Sequence, residues 1–223
     1  MFVNNIYTFF SGSNRKWEIL ANFLTKKTNL TLKTLSKARW SARDGACRKL
    51  NEDWDEITQA LKYISDHVHE KGISRSETAY YLRQLQKLET AFLSILWGDL
   101  LSRFNIVSKK VQSPETDLSS VSKLYGSPFE YIQSLTDEFD IYENDALVKS
   151  EVDLYEDEMK RKKTRKLHAN EGQQGEVELV GRDNFRVNPF KVILDKLQSE
   201  MIKRKTVYDE LTSLFGFLVE KRY

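Results

Sequence analysis

The stretch LNEDWDEITQALKYISDHV, Leu50 to Val68, carries its apolar residues at Leu50, Trp54, Ile57, Leu61, Ile64 and Val68, in alternating steps of four and three. That spacing follows one helix face and predicts an amphipathic helix of about five turns. Gly72 stands where such a helix ends. Outward from this run the same period recurs. Ser74 or Ser76 offers an N-cap for a helix whose stripe of Leu82, Leu85, Phe92, Leu96, Leu100, Phe104, Val107 and Val111 reaches Ser113 without a break, and Pro114 stops it. Beyond it, Leu118, Val121, Leu124, Phe129, Ile132, Leu135, Phe139 and Tyr142 continue the pattern, with Gly126 and Pro128 marking a kink or boundary. Asn188 and Pro189 signal a last helix carrying Ile193, Leu197, Met201, Tyr208, Leu211, Phe215 and Leu218. The expected fold is all-α, an elongated multi-helix bundle.

His168 to Asp183 breaks the pattern, being rich in Gly, Gln and Glu with no helical stripe, and reads as a loop or linker. Glu176 to Val180 alternates polar and apolar residues, and Phe185 to Val187 is a candidate to pair with it, so one short β-hairpin near 176–187 is expected. The chain thus divides into a helical region at 1–167 with a basic N-terminal segment, a loop at 168–184, and a C-terminal helix at 185–223 packing on the bundle.

With 223 residues and 40% hydrophobic content, the chain is long and apolar enough to bury a core. Its single cysteine, Cys47, excludes an intrachain disulfide and a cysteine-rich zinc site, and three histidines supply at most a partial ligand set, so no metal and no cofactor is expected. The longest uncharged apolar stretches, Thr90 to Gly98 and Leu211 to Val219, are half the roughly 18 residues of a membrane span. The opening MFVNNIYTFF has no basic n-region or small-residue cleavage site. An intracellular chain without a membrane span is expected.

The net charge of +2 conceals a strong polarity. From Ser13 to Lys49 there are ten basic residues against Glu18 and Asp44, a balance of +8, while Glu115 to Glu158 holds 13 acidic residues against Lys123 and Lys149, a balance of −11. A basic segment that includes Trp17 and Trp40 combines cations for phosphates with rings for exposed bases. Two readings stand: a nucleic-acid interface, or a core tryptophan beside a solvated lysine face. The run KRKKTRK (Lys160, Arg161, Lys162, Lys163, Arg165 and Lys166 around Thr164) reads as a nuclear-import signal, a phosphate patch, or a loop pairing with its own acidic segment, with nuclear import favoured.

FFSGSNRKWEIL, Phe9 to Leu20, followed by LTLKTLSKARWSARDGACRKL, Leu30 to Leu50, resembles a segment of hAT-superfamily transposases, and most closely their host-borne relatives of the zinc finger MYM-type. The core of the resemblance is the string Arg39-Trp40-Ser41-Ala42-Arg43 after a Leu-x-x-Leu helix, with Ala46 and Leu50 beyond it; Trp97, Asn105, Ser108-Lys109, Gln112, Asp117-Leu118, FRVNPFKVILDKL and LFGFL extend it over most of the chain. In that family a helical insertion interrupts an RNase H-like core, and this chain resembles the insertion with its flanks. The family's catalytic triad is two aspartates before the Arg-Trp string and a distant downstream glutamate. The first 38 residues contain no aspartate, and the chain ends at Tyr223 before the glutamate's place. The resemblance therefore implies a non-catalytic fragment or remnant. It also implies a role for Arg39 and Trp40, because the family's Arg-Trp pair lies near the active site, where an indole stacks on an unpaired base.

The expected DNA-binding set is Arg15, Lys16, Lys33, Arg39, Trp40 and Arg43, in a nuclear protein, with a cytoplasmic one as the alternative. The other class of function is a helical scaffold whose apolar faces meet a partner chain or a second copy. Enzyme constellations are thin. Asp53, Asp55 and Glu56 fit the positive end of a helix dipole, and His67 and His69, two apart, point to different faces. Cys47 lies among Arg43, Arg48 and Lys49, which would favour a thiolate, yet a buried apolar role is preferred.

Overall fold

The computed structural model describes residues 2–24, 40–66, 72–114, 116–159 and 179–215, with backbone alone for Trp40, Leu118 and Ser119. Among these residues the fold is all helical, without a strand. No described helix is long and apolar enough to cross a membrane.

Helices α1 (Phe2–Ser11) and α2 (Asn14–Phe23) form an N-terminal hairpin in which Ile6, Phe9, Phe10 and Leu20 are buried. The Leu50–Val68 stripe is split between α3 (Trp40–Glu52) and α4 (Trp54–Asp66) rather than carried by one helix. The interruption falls at Asp53, whose N–H still donates to the Lys49 carbonyl at 3.1 Å and whose carbonyl accepts the Ile57 N–H at 2.9 Å, so the two helices stay nearly continuous. Its carboxylate is buried and paired with Lys49 at 3.2 Å. The apolar phase survives the kink, with Trp54, Ile57, Leu61 and Ile64 all in the core.

Gly72 lies within α5 (Gly72–Leu85), with residues 67–71 before it outside the described residues, and the long stripe to Ser113 is interrupted, since α6 (Leu88–Val111) starts afresh after Gln86 and an extended Lys87. The break is held from outside, because the Val152 N–H donates to the Gln86 carbonyl at 3.2 Å and satisfies a helix-end acceptor. α6 is the central column. Its buried residues, from Leu88 through Val107, occur on several sides of the helix, which packs against α3, α7 and α8.

Helix α7 (Leu118–Ser134) is capped by Asp117, whose carboxylate accepts the Ser120 N–H at 2.6 Å. It passes through Gly126 and Pro128 without ending; the boundary lies later, in a 3₁₀ turn at Leu135–Asp137 before α8 (Phe139–Lys149). A short turn of helix, α9 (Glu156–Met159), follows.

The hairpin expected near 176–187 is corrected. Residues 176–178 lie outside the described residues, but Arg182–Phe185 is helical (α10), and Arg186–Lys191 continues it as a π-turn into α11 (Val192–Phe215). The last helix therefore begins before Asn188, and the loop assigned to 168–184 ends by Gly181. Pro189 sits inside the path, where the wider π-turn accommodates its missing N–H. An aromatic cluster holds this segment helical: Phe185 and Phe190 pack on Phe92 with centroids at 5.1 and 5.6 Å, and Phe190 lies 5.2 Å from Phe139. Each such pair is worth about 1 kcal/mol beyond its buried area. One continuous core thus runs from Ile6 to Met201, and α11 lies along α7.

Candidate nucleic-acid interface

The Arg-Trp string meets α3 at its first described residue: α3 is described from Trp40, and Arg43 follows three positions later, in the same turn. No acidic residue lies in that first described turn. Arg43 is half-buried.

The inner face of α3 is fastened to α6 by two polar pairs. Asn105 Nδ2 donates to Asp44 Oδ2 at 2.7 Å, with both residues buried. Two turns on, Asn51 and Ser94 exchange two hydrogen bonds, Asn51 Nδ2 to the Ser94 carbonyl at 2.8 Å and Ser94 Oγ to Asn51 Oδ1 at 2.9 Å. Gly98 permits this close approach, since a Cβ there would stand 2.8 Å from Asn51 Nδ2. Lys149 at the end of α8 donates to the Asn51 carbonyl at 2.8 Å, and burial holds its ammonium below the ordinary lysine range. These directional contacts fix the register of α3, and with it the orientation of the end that carries Trp40 and Arg43.

Cys47 lies on the buried face, and burial, followed by the neighbouring Asp44, pushes its thiol up to about 11. Its basic sequence neighbours do not activate it; the residue is a small apolar side chain of the α3 interior. Asp55 and Glu56 occupy the first turn of α4, as the dipole argument requires, while Asp53 is spent on Lys49.

The other candidates separate. Arg15 is exposed on α2. Lys16 is consumed internally: its ammonium sits 3.8 Å above the Phe9 ring and 3.7 Å from Glu77 of α5, and its side chain is 14% exposed. Helix α2 rests on α1 and α4, whereas α3 rests chiefly on α6 and touches α1 and α4 only lightly. Lys33, Arg39, the side chain of Trp40, the run Lys160 to Lys166, and His67 and His69 lie outside the described residues.

The acidic segment is partly neutralised by this chain. Arg182 bridges Asp140 and Glu143, the latter at 2.8 Å, and Tyr155 donates to Glu143 at 2.6 Å. Asp157 accepts from Asn184 Nδ2 at 2.8 Å and the Gly181 N–H at 2.9 Å; although burial alone would push its carboxyl up, these donors hold it below the usual range. Among the described residues no group of three or more His, Cys, Asp or Glu is arranged to hold a metal ion.

A second concave feature was not signalled by any motif. Helices α6, α7 and α11 enclose a cavity of about 350 Å³ beside a stacked pair, Tyr125 and Tyr208, whose centroids are 5.2 Å apart with planes 20° from parallel. Tyr208 belongs to an apolar stripe and so reads as core in the sequence; the run Lys203-Arg204-Lys205 next to it was the available signal.

The chain matches no family model, no curated protein and no solved structure.

Proposed function

We propose that this chain is a non-catalytic helical portion of an hAT-like, zinc finger MYM-type protein that contacts DNA at the start of α3. The observation that carries the reading is that the Arg39-Trp40-Ser41-Ala42-Arg43 string leads into α3, whose first described turn holds Arg43 and no acid, a local positive charge that favours a phosphate there. Arg39, Trp40 and Arg43 form the contact set, with Arg15 and Lys33 contributing to the surrounding positive field. Lys16 leaves the set because Glu77 and Phe9 already engage its charge. The reading is nuclear because of the run from Lys160 to Lys166.

The test is fluorescence anisotropy with duplex, single-stranded and hairpin-ended DNA at two salt concentrations. Binding that weakens as salt rises, drops in Arg43→Gln and Trp40→Ala, and is unchanged in Lys16→Gln supports the reading. Binding lost equally in Lys16→Gln, or absent near physiological salt from folded protein, overturns it.

A second reading, the helical interaction scaffold, is favoured by Ile73 and Val148, which are 84% and 87% exposed on the outer faces of α5 and α8. Concentration-dependent sedimentation that Val148→Asp abolishes would support self-association through these faces.

A further inference from the structure

Helices α6, α7 and α11 pack together, α11 lying along α7, but α11 runs on past the packed core. After Met201, α11 buries no further residue among those described, although it continues to Phe215. The space this leaves is the cavity of about 350 Å³, large enough for a nucleobase with its sugar. Phe104, Val107 and Met201 form its apolar floor. Tyr125 and Tyr208 stand at its side as a stacked pair, and Arg204 lines the same cavity.

The polar groups are those that read a nucleotide. Gln112 and Ser108, hydrogen-bonded to each other at 3.1 Å, line the same cavity and present both donors and acceptors to a base edge. Arg204 is exposed at the rim, and Glu200, its acidic neighbour one turn earlier, is engaged by Lys203 at 2.8 Å. Two further cations line other clefts formed by the same helices. Lys205 lines a cleft that shares Tyr125 and Met201 with the cavity, and Lys123 lines one beside α6 and α7. Glu130 and Asp209 also line the Lys205 cleft, and Asp209 accepts a hydrogen bond from Ser122.

We infer that the α6–α7–α11 cavity receives one unpaired nucleotide of a DNA strand, its base against Phe104 and the Tyr125–Tyr208 pair and its phosphate on Arg204, with Lys205 and Lys123 meeting adjoining phosphates. This deepens the DNA-binding reading but uses a site separate from α3. Stacking platforms beside a line of cations are the general device for holding single strands, and each stacked base contributes a factor of roughly five to a hundred in affinity.

The closing experiment follows the methyl signal of Met201, which lies in the cavity wall, in the full chain labelled at methionine methyls. Thymidine monophosphate should shift it saturably, with dissociation in the millimolar range, about tenfold more weakly for thymidine or for Arg204→Gln, and unchanged for Arg43→Gln. Arg204 is exposed, so its variant folds; Tyr208→Leu, checked by circular dichroism, should weaken binding without altering its salt dependence. A ten-residue thymidine oligonucleotide should bind more tightly than the monophosphate, with a salt slope that falls by about one unit in Arg204→Gln. No saturable Met201 shift up to about 20 mM, or the same shift in Arg204→Gln, overturns the inference. Equal affinity for monophosphate and oligonucleotide overturns the strand as ligand and leaves a free nucleotide. The α3 reading fails separately, through the Arg43 and Trp40 variants.

Discussion

Asn105→Ala is the perturbation that most directly tests how α3 is held. Asp44 is 4% exposed and Asn105 8% exposed, and the 2.7 Å bond between them joins α3 to α6. The second carboxylate oxygen, Oδ1, is buried without a hydrogen-bond partner, so Asn105 supplies the direct hydrogen bond that this group receives among the described residues. Removing it forfeits a charge-assisted bond and leaves a buried carboxylate unanswered, a loss of about 3 kcal/mol. With a urea dependence of about 2 kcal/mol per molar, the unfolding midpoint should fall by about 1.5 M. Asp44→Leu combined with Asn105→Leu removes both polar partners and fills the space, and should cost less than about 1 kcal/mol. Equilibrium unfolding followed by circular dichroism at neutral pH reads all three proteins. A midpoint shift below about 0.3 M for Asn105→Ala, or a double variant as destabilised as the single one, would refute the view that this pair is an obligatory partnership in the α3–α6 interface.

Three other outcomes follow from local geometry. Cys47, buried with its thiol raised to about 11, should resist iodoacetamide at pH 8 in the native protein and react fully once unfolded, as mass spectrometry of the alkylated fraction will show. Gly181→Ala should destabilise by about 2 kcal/mol in thermal unfolding, because φ is 63° there and an added Cβ would collide with the Glu158 carboxylate. Glu89 is pushed above the ordinary glutamate range chiefly by burial, so the stability it contributes is present in acid and lost as pH rises through its raised folded value. Glu89→Gln should therefore raise the melting temperature at pH 7 and make no difference at pH 3, where the native carboxyl is protonated; a constant difference across that range would contradict the assignment.

The helical class was legible because the period of apolar residues is a local property, and the core residues Trp54, Ile57, Leu61 and Ile64 were read correctly from their spacing. The breaks were not. At Asp53 and at Gln86–Lys87 the apolar phase runs on through the interruption, and at Gln86 the helix end is met by a partner distant in sequence, the Val152 N–H returning from α8. Punctuating residues misled for the same reason. Gly126 and Pro128 lie within α7, and Pro189 is absorbed by a π-turn, because packing against neighbouring helices outweighs one missing backbone bond. Phe185 to Val187 looked like a strand in isolation and is helical because Phe185 closes on Phe92 and Tyr155.

Charge shows the same division more sharply. The sequence by itself determined that the chain is helical, that its basic and acidic residues are segregated, and that an Arg-Trp string stands ahead of a helix face bearing Ala46 and Leu50. Only the tertiary structure decided which charges are already engaged: Lys16 meets Glu77 from a helix some sixty positions away, Arg182 neutralises Asp140 and Glu143, and Arg204 comes to rest beside a tyrosine pair assembled from α7 and α11. Helical periodicity is written in spacings of three and four residues, whereas an ion pair or a stacked ring depends on distances of a few ångströms between segments whose separation along the chain carries no such information.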